Sequence, residues 1–322
     1  MNRLVRKVNA RLYDLSTISE LPKNRPYAIF DLDGTLTKGN ELLLATFVKD
    51  RNVQVGDASV KGNLVNAFED YEEGKLRYEK YLKLVGRLYA KMLAKTGETR
   101  EHVIEVCQQW FDATGHQEIE AYALPMMSEV ERFRFNRFML TGAPAEIALP
   151  FASHLGIENV SAMMADVDPR GVYTGIMRDD KNTGLLGNKG DFCGGLNREH
   201  PVGLGVGDTA SDKVIADTAM HQNADNPLDV KGRSVIMISD PAVLEIMATT
   251  AQHYINRGKL ELIFKGWGQE RKMEVFRAVL RGILKDNHKF ELLNEIEGVR
   301  LLSPDEKRQL KASRDAMENQ WD

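Results

Sequence analysis

The sequence predicts an α/β fold: a doubly wound, Rossmann-like parallel sheet with a helical domain inserted into it and a helical C-terminal extension. Three observations carry this expectation. Short apolar runs at Tyr27–Phe30, 135–140, 203–207 and 234–238 alternate with helical patterns. The first three end in polar turns at Asp31, Thr141 and Asp208, where parallel sheets gather ligands. Between the first two runs no proline interrupts the chain from Pro26 to Pro125, and charged amphipathic stretches that include Leu76, Leu82, Leu84, Leu88 and Met92 fill the gap.

The predicted elements follow in order. Leu4, Val8, Leu12 and Leu15 share one side of a helix, with Arg3, Arg6, Lys7 and Arg11 around it, so residues 1–21 read as a docking helix or a surface arm. Residues 22–37 and 134–240 form the sheet domain, and residues 38–133 the inserted helical domain. Ala143 to His154 reads as a helix. The stretch SAMMADVDPRGVYTGIM reads as a β-hairpin around Asp168, Pro169, Arg170 and Gly171. A helix starts near Asn188 and another spans Ser211 to Met220. From Pro241 to residue 322 the pattern turns helical: Phe264, Trp267, Phe276, Val279, Leu280, Ile283 and Leu284 interleave with basic residues, and Arg277, Arg281 and Lys285 form a stripe expected to stay in water.

Composition excludes several function classes. A chain of 322 residues suggests two domains, and 43% hydrophobic with 28% charged residues is incompatible with a disordered, collagenous or disulfide-scaffold protein. The 43 basic and 47 acidic residues leave a net charge of −4, so no overall field favours nucleic acid. The longest apolar candidate, Leu42 to Val48, is interrupted by Thr46 and falls far short of the ~18 residues of a membrane span. Cys107 and Cys193 lack metal-ligand or redox spacing, and the start MNRLVRKVNARLYDL has no apolar core of a secretory signal. A reduced, cytoplasmic protein with two buried thiols is expected, a single Cys107–Cys193 bridge being the alternative.

Asp31 and Asp33 flank one leucine at the mouth of a strand. Two such carboxylates can divide labour, one attacking an electrophilic centre while the other carries a proton. A phosphoryl group bears about two negative charges, so its site needs a divalent cation, a fixed ammonium and hydroxyl or backbone donors. Carboxylates at Asp31 and Asp208 suit Mg²⁺, which prefers oxygen ligands.

The string DLDGTLT after YAIF resembles the first motif of the haloacid dehalogenase superfamily of phosphohydrolases. Thr141 in FMLTG, Lys189 in NKG, and Asp208 and Asp212 in GVGDTASD resemble the remaining motifs, in order. The resemblance implies that Asp31 is a nucleophile forming an aspartyl-phosphate and that Asp33 is the general acid. It implies Mg²⁺ held by Asp31, the Asp33 backbone carbonyl and Asp208. It also implies that Thr141, Gly142 and Lys189 grip the phosphoryl oxygens, with Asp212 orienting Lys189 or a metal-bound water. An acid at Asp33 speaks against the dehalogenase branch.

The insertion resembles the helical cap of the phosphoserine phosphatase-like subgroup. EEGKLRYEKYL, from Glu72 to Leu82, is similar to a stretch of those enzymes that places Tyr78 at a substrate-facing aromatic position. Two departures concern specificity: Asn40, with Glu41 beside it, stands at the position of a substrate-binding glutamate, and Val85 at that of an arginine, with Lys83 and Arg87 as candidate substitutes. Ser211 stands where asparagine is frequent. The expectation is therefore a Mg²⁺-dependent phosphatase for a small phosphorylated metabolite other than phosphoserine, with Glu41 and Tyr78 as specificity candidates. The alternatives are transfer to an acceptor alcohol, and a non-catalytic scaffold binding through the basic C-terminal helices. No nucleic-acid partner is expected, and packing of the tail is favoured over peripheral contact with a lipid surface.

Overall fold

The computed structural model describes residues 9–39, 42–178, 189–209, 212–220, 230–239 and 241–297. The chain forms two compact units, Met1–Ile283 and Leu284–Asp322. Within the second, Phe290–Glu297 is helical; the site lies entirely in the first.

The described residues of the first unit form a seven-stranded sheet in the order β1-β4-β3-β2-β7-β8-β9, every neighbouring pair parallel. In chain order the strands are β1 (Arg11–Leu12), β2 (Tyr27–Phe30), β3 (Asn136–Pro144), β4 (Asn159–Met163), β7 (Val202–Gly207), β8 (Arg233–Ile238) and β9 (Leu260–Phe264). β5 (Ala165–Val167) and β6 (Tyr173–Met177) make a separate antiparallel hairpin. β2, β4 and β7 are buried at every residue, which is why β2 and β7 read as apolar runs without alternation, while β4 buries Asn159 and Ser161 among its apolar residues. β2 is central, with β3 on one side and β7 on the other, so strand order reverses beside it. That reversal opens a crevice at the carboxyl ends of these strands.

Five helices lie between β2 and β3: α1 (Leu43–Lys49), α2 (Ala58–Glu72), α3 (Tyr78–Lys95), α4 (Arg100–Ala113) and α5 (Ala123–Arg132). Asp57 caps α2 by accepting from Ser59 N and Val60 N, and Thr99 caps α4 by accepting from His102 N. On α3 the buried face is Tyr81, Val85, Tyr89 and Leu93, spaced by four residues, while Leu84 is exposed. Ala90 and Met92 are buried beside these, so the apolar face keeps Met92 from the sequence pattern and adds Tyr81, Val85 and Tyr89, while Leu82 and Leu88 are half-buried. α5 packs on β3.

A buried carboxylate ties the insertion to the sheet domain. Glu146, on α6 (Ala145–Leu155), accepts from Tyr173 Oη at 2.6 Å and Tyr89 Oη at 3.2 Å, and Arg100 Nε lies 3.7 Å away. The same joint includes backbone bonds from Arg100 N to Gly171 O and from Tyr173 N to Glu98 O.

Five expectations are corrected. Residues 9–21 form no α-helix, only a short 3-10 turn at Ile18–Glu20: Arg11 N and Tyr13 N donate to Glu158 O and Val160 O, so an extended arm adds β1 to the sheet, and Tyr13, Ile18 and Leu21 enter the core. Pairing with β4 outweighs the helical spacing of Leu12 and Leu15; residues 1–8 lie outside the described residues. The hairpin is shorter than expected, because Ser161, Ala162 and Met163 belong to β4 and its first strand is only Ala165–Val167. The backbone stays extended through Thr141 and Gly142 to Pro144, with a register shift against β4, instead of turning there.

The remaining two corrections concern the tail. The sheet domain does not end at residue 240: β9 pairs with β8 from Ser234↔Leu260 to Ile238↔Phe264, so the extension is not wholly helical. Helices α9 (Pro241–Thr250) and α10 (Gln252–Asn256) make the crossover. The following helix, α11 (Gln269–Asp286), buries Met273, Phe276, Val279, Leu280 and Ile283. Arg277 is not free in water, for its Nε donates to Glu129 Oε1 at 2.9 Å. Cys107 and Cys193 are buried and unbonded. No helix of the described residues is long and apolar enough to cross a membrane.

Candidate active site

The motif DLDGTLT folds as a tight loop because one carbonyl collects its backbone. Thr35 N, Leu36 N and Thr37 N all approach Leu32 O at 3.0–3.2 Å, and the Thr37 hydroxyl donates to the same oxygen at 3.1 Å. Asp31 N donates to Val206 O, extending the β2–β7 ladder by one residue and fixing Asp31 at the sheet end. Gly34 has φ +75°, and a Cβ there would overlap the Asp208 carboxylate, so glycine is required on both counts.

Thr35 donates its hydroxyl to Asp208 Oδ1 at 2.9 Å, joining the first motif to the loop after β7. Lys189 opens α7 (Lys189–Glu199) and bridges two carboxylates, Asp31 Oδ1 and Asp212 Oδ1, each at 2.6 Å. Asp212, just before α8 (Lys213–Met220), accepts through Oδ2 from Thr209 N at 3.0 Å and Thr209 Oγ1 at 2.7 Å. Asp33 Oδ1 accepts from Leu43 N at 2.9 Å, at the start of α1.

These residues floor a cavity of about 180 Å³, lined by Asp31, Asp33, Gly142, Lys189, Asp208 and Asp212 among others. Thr141 is fully buried, and its hydroxyl accepts from Ala143 N at 3.1 Å, so Gly142 and Ala143 form the cavity surface beside it. Glu41, Asn40 and Ser211 lie outside the described residues, as does the side chain of Tyr78. Val85 lines the cavity, whereas Lys83 and Arg87 are exposed and do not, which removes both as substitutes for a carboxylate clamp.

Burial drives the electrostatics. It pushes the Asp31 carboxyl well above the usual carboxylate range, against the pull of Lys189 and aided by Asp212 and Asp208. Asp33 rises to about 6, again through burial, with the Leu43 N–H and Lys189 opposing. Asp208 is pushed up to about 7 by burial and the Asp212 charge, while Lys265 and the Thr35 hydroxyl pull it down. For Asp212 burial is outweighed by Lys189 and Thr209, which hold its carboxyl below the ordinary value. Asp31, Asp208 and Asp212 have carboxylate oxygens within 4.8 Å of one another, all buried. An all-oxygen set with three carboxylates around one ammonium leaves negative charge that a hard divalent cation would balance, so these residues fit Mg²⁺.

The topology and the site can be set beside known structures. A protein of unknown function from Bordetella pertussis Tohama I is similar with a TM-score of 0.51 at 17% identity, over 74% of this chain and 98% of that one. Cytosolic 5′-nucleotidase IIIB, solved bound to cytidine, is similar with a TM-score of 0.51 at 10% identity, over 86% of this chain and 91% of that one. The likeness to these two structures is one of fold. No family model matches the sequence, and no curated protein matches it.

In this fold the four motifs converge on the ends of β2, β3 and β7 and the start of α7. Sequence reasoning missed four contributors: Thr35, Thr209, Lys265 and the aromatic wall of Tyr71 and Tyr81. The two threonines stand inside motifs already singled out, at spacings from Asp31 and Asp212 that were legible. Lys265 was not legible, because it follows a strand that the pattern did not predict; its Nζ donates to Lys38 O at 3.2 Å.

Proposed function

We propose that the protein is a Mg²⁺-dependent phosphomonoesterase working through an aspartyl-phosphate on Asp31. One observation carries this reading: Asp31 lies at the cavity floor, 2.6 Å from a lysine that Asp212 holds in place, with Asp33 and Asp208 lining the same cavity. Asp31, Asp208 and the Asp33 backbone carbonyl would hold Mg²⁺, which when bound offsets the charge of the phosphoryl oxygens.

An Asp31 carboxylate oxygen attacks phosphorus, and the bond from phosphorus to the leaving oxygen breaks. Asp33, with its carboxyl raised to about 6, delivers its proton to that oxygen. Asp33 then takes a proton from water as the water oxygen attacks the aspartyl-phosphate. The bond from Asp31 to phosphorus breaks, and inorganic phosphate leaves. Lys189 neutralises phosphoryl oxygens throughout, and Gly142 and Ala143 offer backbone to them. Helices α1–α4 act as a cap that keeps bulk water out during the first half-reaction.

The test is hydrolysis of p-nitrophenyl phosphate with Mg²⁺, with EDTA, and by Asp31→Asn. Activity should require the metal and fall by several orders of magnitude in the variant. Turnover by Asp31→Asn at the wild-type rate would overturn the reading.

A further inference from the structure

We propose that the substrate is a compact phosphomonoester whose alcohol half is uncharged and apolar, held against a wall built on Tyr71 and Tyr81. This inference rests on the hydrolytic reading above and names the substrate class for the same site.

The cavity is chemically divided. Its Asp and Lys residues, among the described lining, are all floor residues: Asp31, Asp33, Lys189, Asp208 and Asp212. The floor has the groups to handle a phosphoryl head. The remainder includes Leu42, Leu44, Tyr71, Tyr81, Val85 and Met163, with no Arg, Glu or His among the described lining residues. A substrate whose alcohol half rests on these described side chains would, if it bore an ammonium or carboxylate, bring that charge against hydrocarbon. Desolvating an ion without a partner is strongly unfavourable, so such substrates are selected against.

The wall is also shaped. Tyr71 and Tyr81 stack with ring centroids 4.3 Å apart and planes at 16°. Tyr81 is 1% exposed and meets Phe68 edge-on at 6.3 Å, which fixes its plane. The half-buried Tyr71 ring is thereby backed by a rigid partner on the next helix. Stacked aromatic surfaces receive flat or branched apolar bodies at little conformational cost. Size points the same way: about 180 Å³ is below the roughly 300–1,000 Å³ of cavities that take drug-sized ligands. A ring or short branched chain fits that space.

The experiment compares two non-hydrolysable phosphonates by titration calorimetry on the Mg²⁺-loaded wild-type protein. Benzylphosphonate carries an apolar body, and 2-amino-4-phosphonobutanoate carries a charged amino-acid body of similar length. Benzylphosphonate should bind at least about tenfold more tightly. Tyr71→Ala should weaken benzylphosphonate about tenfold and leave inorganic phosphate unchanged, whereas Tyr71→Phe should retain wild-type binding. Equal or reversed preference between the phosphonates overturns the proposal, as does equal weakening of benzylphosphonate and phosphate by Tyr71→Ala. Hydrolysis of p-nitrophenyl phosphate alongside such a result leaves the phosphomonoesterase reading standing and removes only the substrate class. Absence of both hydrolysis and phosphate binding removes both.

Discussion

The Tyr122 hydroxyl donates to the backbone carbonyl of Thr35 at 2.8 Å, and the Thr35 side chain in turn holds Asp208. Lys272, on α11 and 6% exposed, lies with its Nζ 4.7 Å from the centre of the Tyr122 ring. A metal-binding candidate is thus connected, through two hydrogen bonds and a cation over a ring, to a helix far along the chain. Tyr122→Phe should cost about 1–2 kcal/mol in urea unfolding, because a buried carbonyl loses its donor. It should also raise the Mg²⁺ concentration needed for half-maximal activity while leaving the substrate KM unchanged. A Mg²⁺ activation curve identical to wild type would contradict the link.

The two acidic partners should separate by variant. Asp33→Asn removes a proton donor and should lower kcat by ~10²–10⁴-fold with Mg²⁺ affinity retained. Asp208→Asn should instead lose Mg²⁺ affinity. Calorimetry with Mg²⁺ alone on both variants decides the assignment, and the reverse pattern would exchange the roles.

Metal binding should release a proton near neutrality. Asp208 has its carboxyl raised to about 7, so in the metal-free protein the proton is held below that pH and must leave for a cation to bind. The Mg²⁺ requirement should therefore rise as pH falls below about 7 and level off above it. The sign for stability follows from the same shift. A folded-state value above the ordinary 3.8 means that the native state binds the extra proton, so the metal-free protein loses stability as pH rises from about 4 towards 7. Melting temperatures with and without Mg²⁺ at pH 5.5, 6.5 and 7.5 check both trends.

Glu146 serves as the buried joint of the helical insertion, receiving two tyrosine hydroxyls with Arg100 alongside. Glu146→Ala strands two tyrosine hydroxyls and takes the carboxylate from beside Arg100, which keeps its bond to Ala165 O, and should cost about 3–5 kcal/mol. Equilibrium unfolding measures it, and the Phe111–Phe151 contact at 4.8 Å should keep helices α4 and α6 together through the remaining apolar packing.

The central strands and catalytic loops were legible because they combine two independent signals, an apolar run and a turn with unusual chemistry. β2 ends in Asp-Leu-Asp-Gly, and β7 in Gly-Asp-Thr, so periodicity and motif agree there. β1 and β9 carried only one. Arg11 and Leu12 are too few to show alternation, and Leu260–Phe264 sits among charged helical patterns, so their pairing was decided by a distant strand. The α3 face was only partly legible for a related reason: tyrosines at 81 and 89 bury as well as leucines, so a leucine-led reading includes the buried Met92 but passes over them.

β8 hydrogen-bonds to β7 on one side and to β9 on the other. A fragment ending near residue 240 would therefore keep the catalytic motifs yet uncover a run of backbone donors and acceptors along Ser-Val-Ile-Met-Ile, which is buried throughout in the intact chain. Such a strand is a template for addition by another copy, so the trimmed chain is expected to aggregate through this margin even where its motifs are complete. For the same reason, synthesis must proceed past Phe264 before the sheet can protect itself. A nascent chain carrying every motif remains vulnerable to self-association until β9 has emerged.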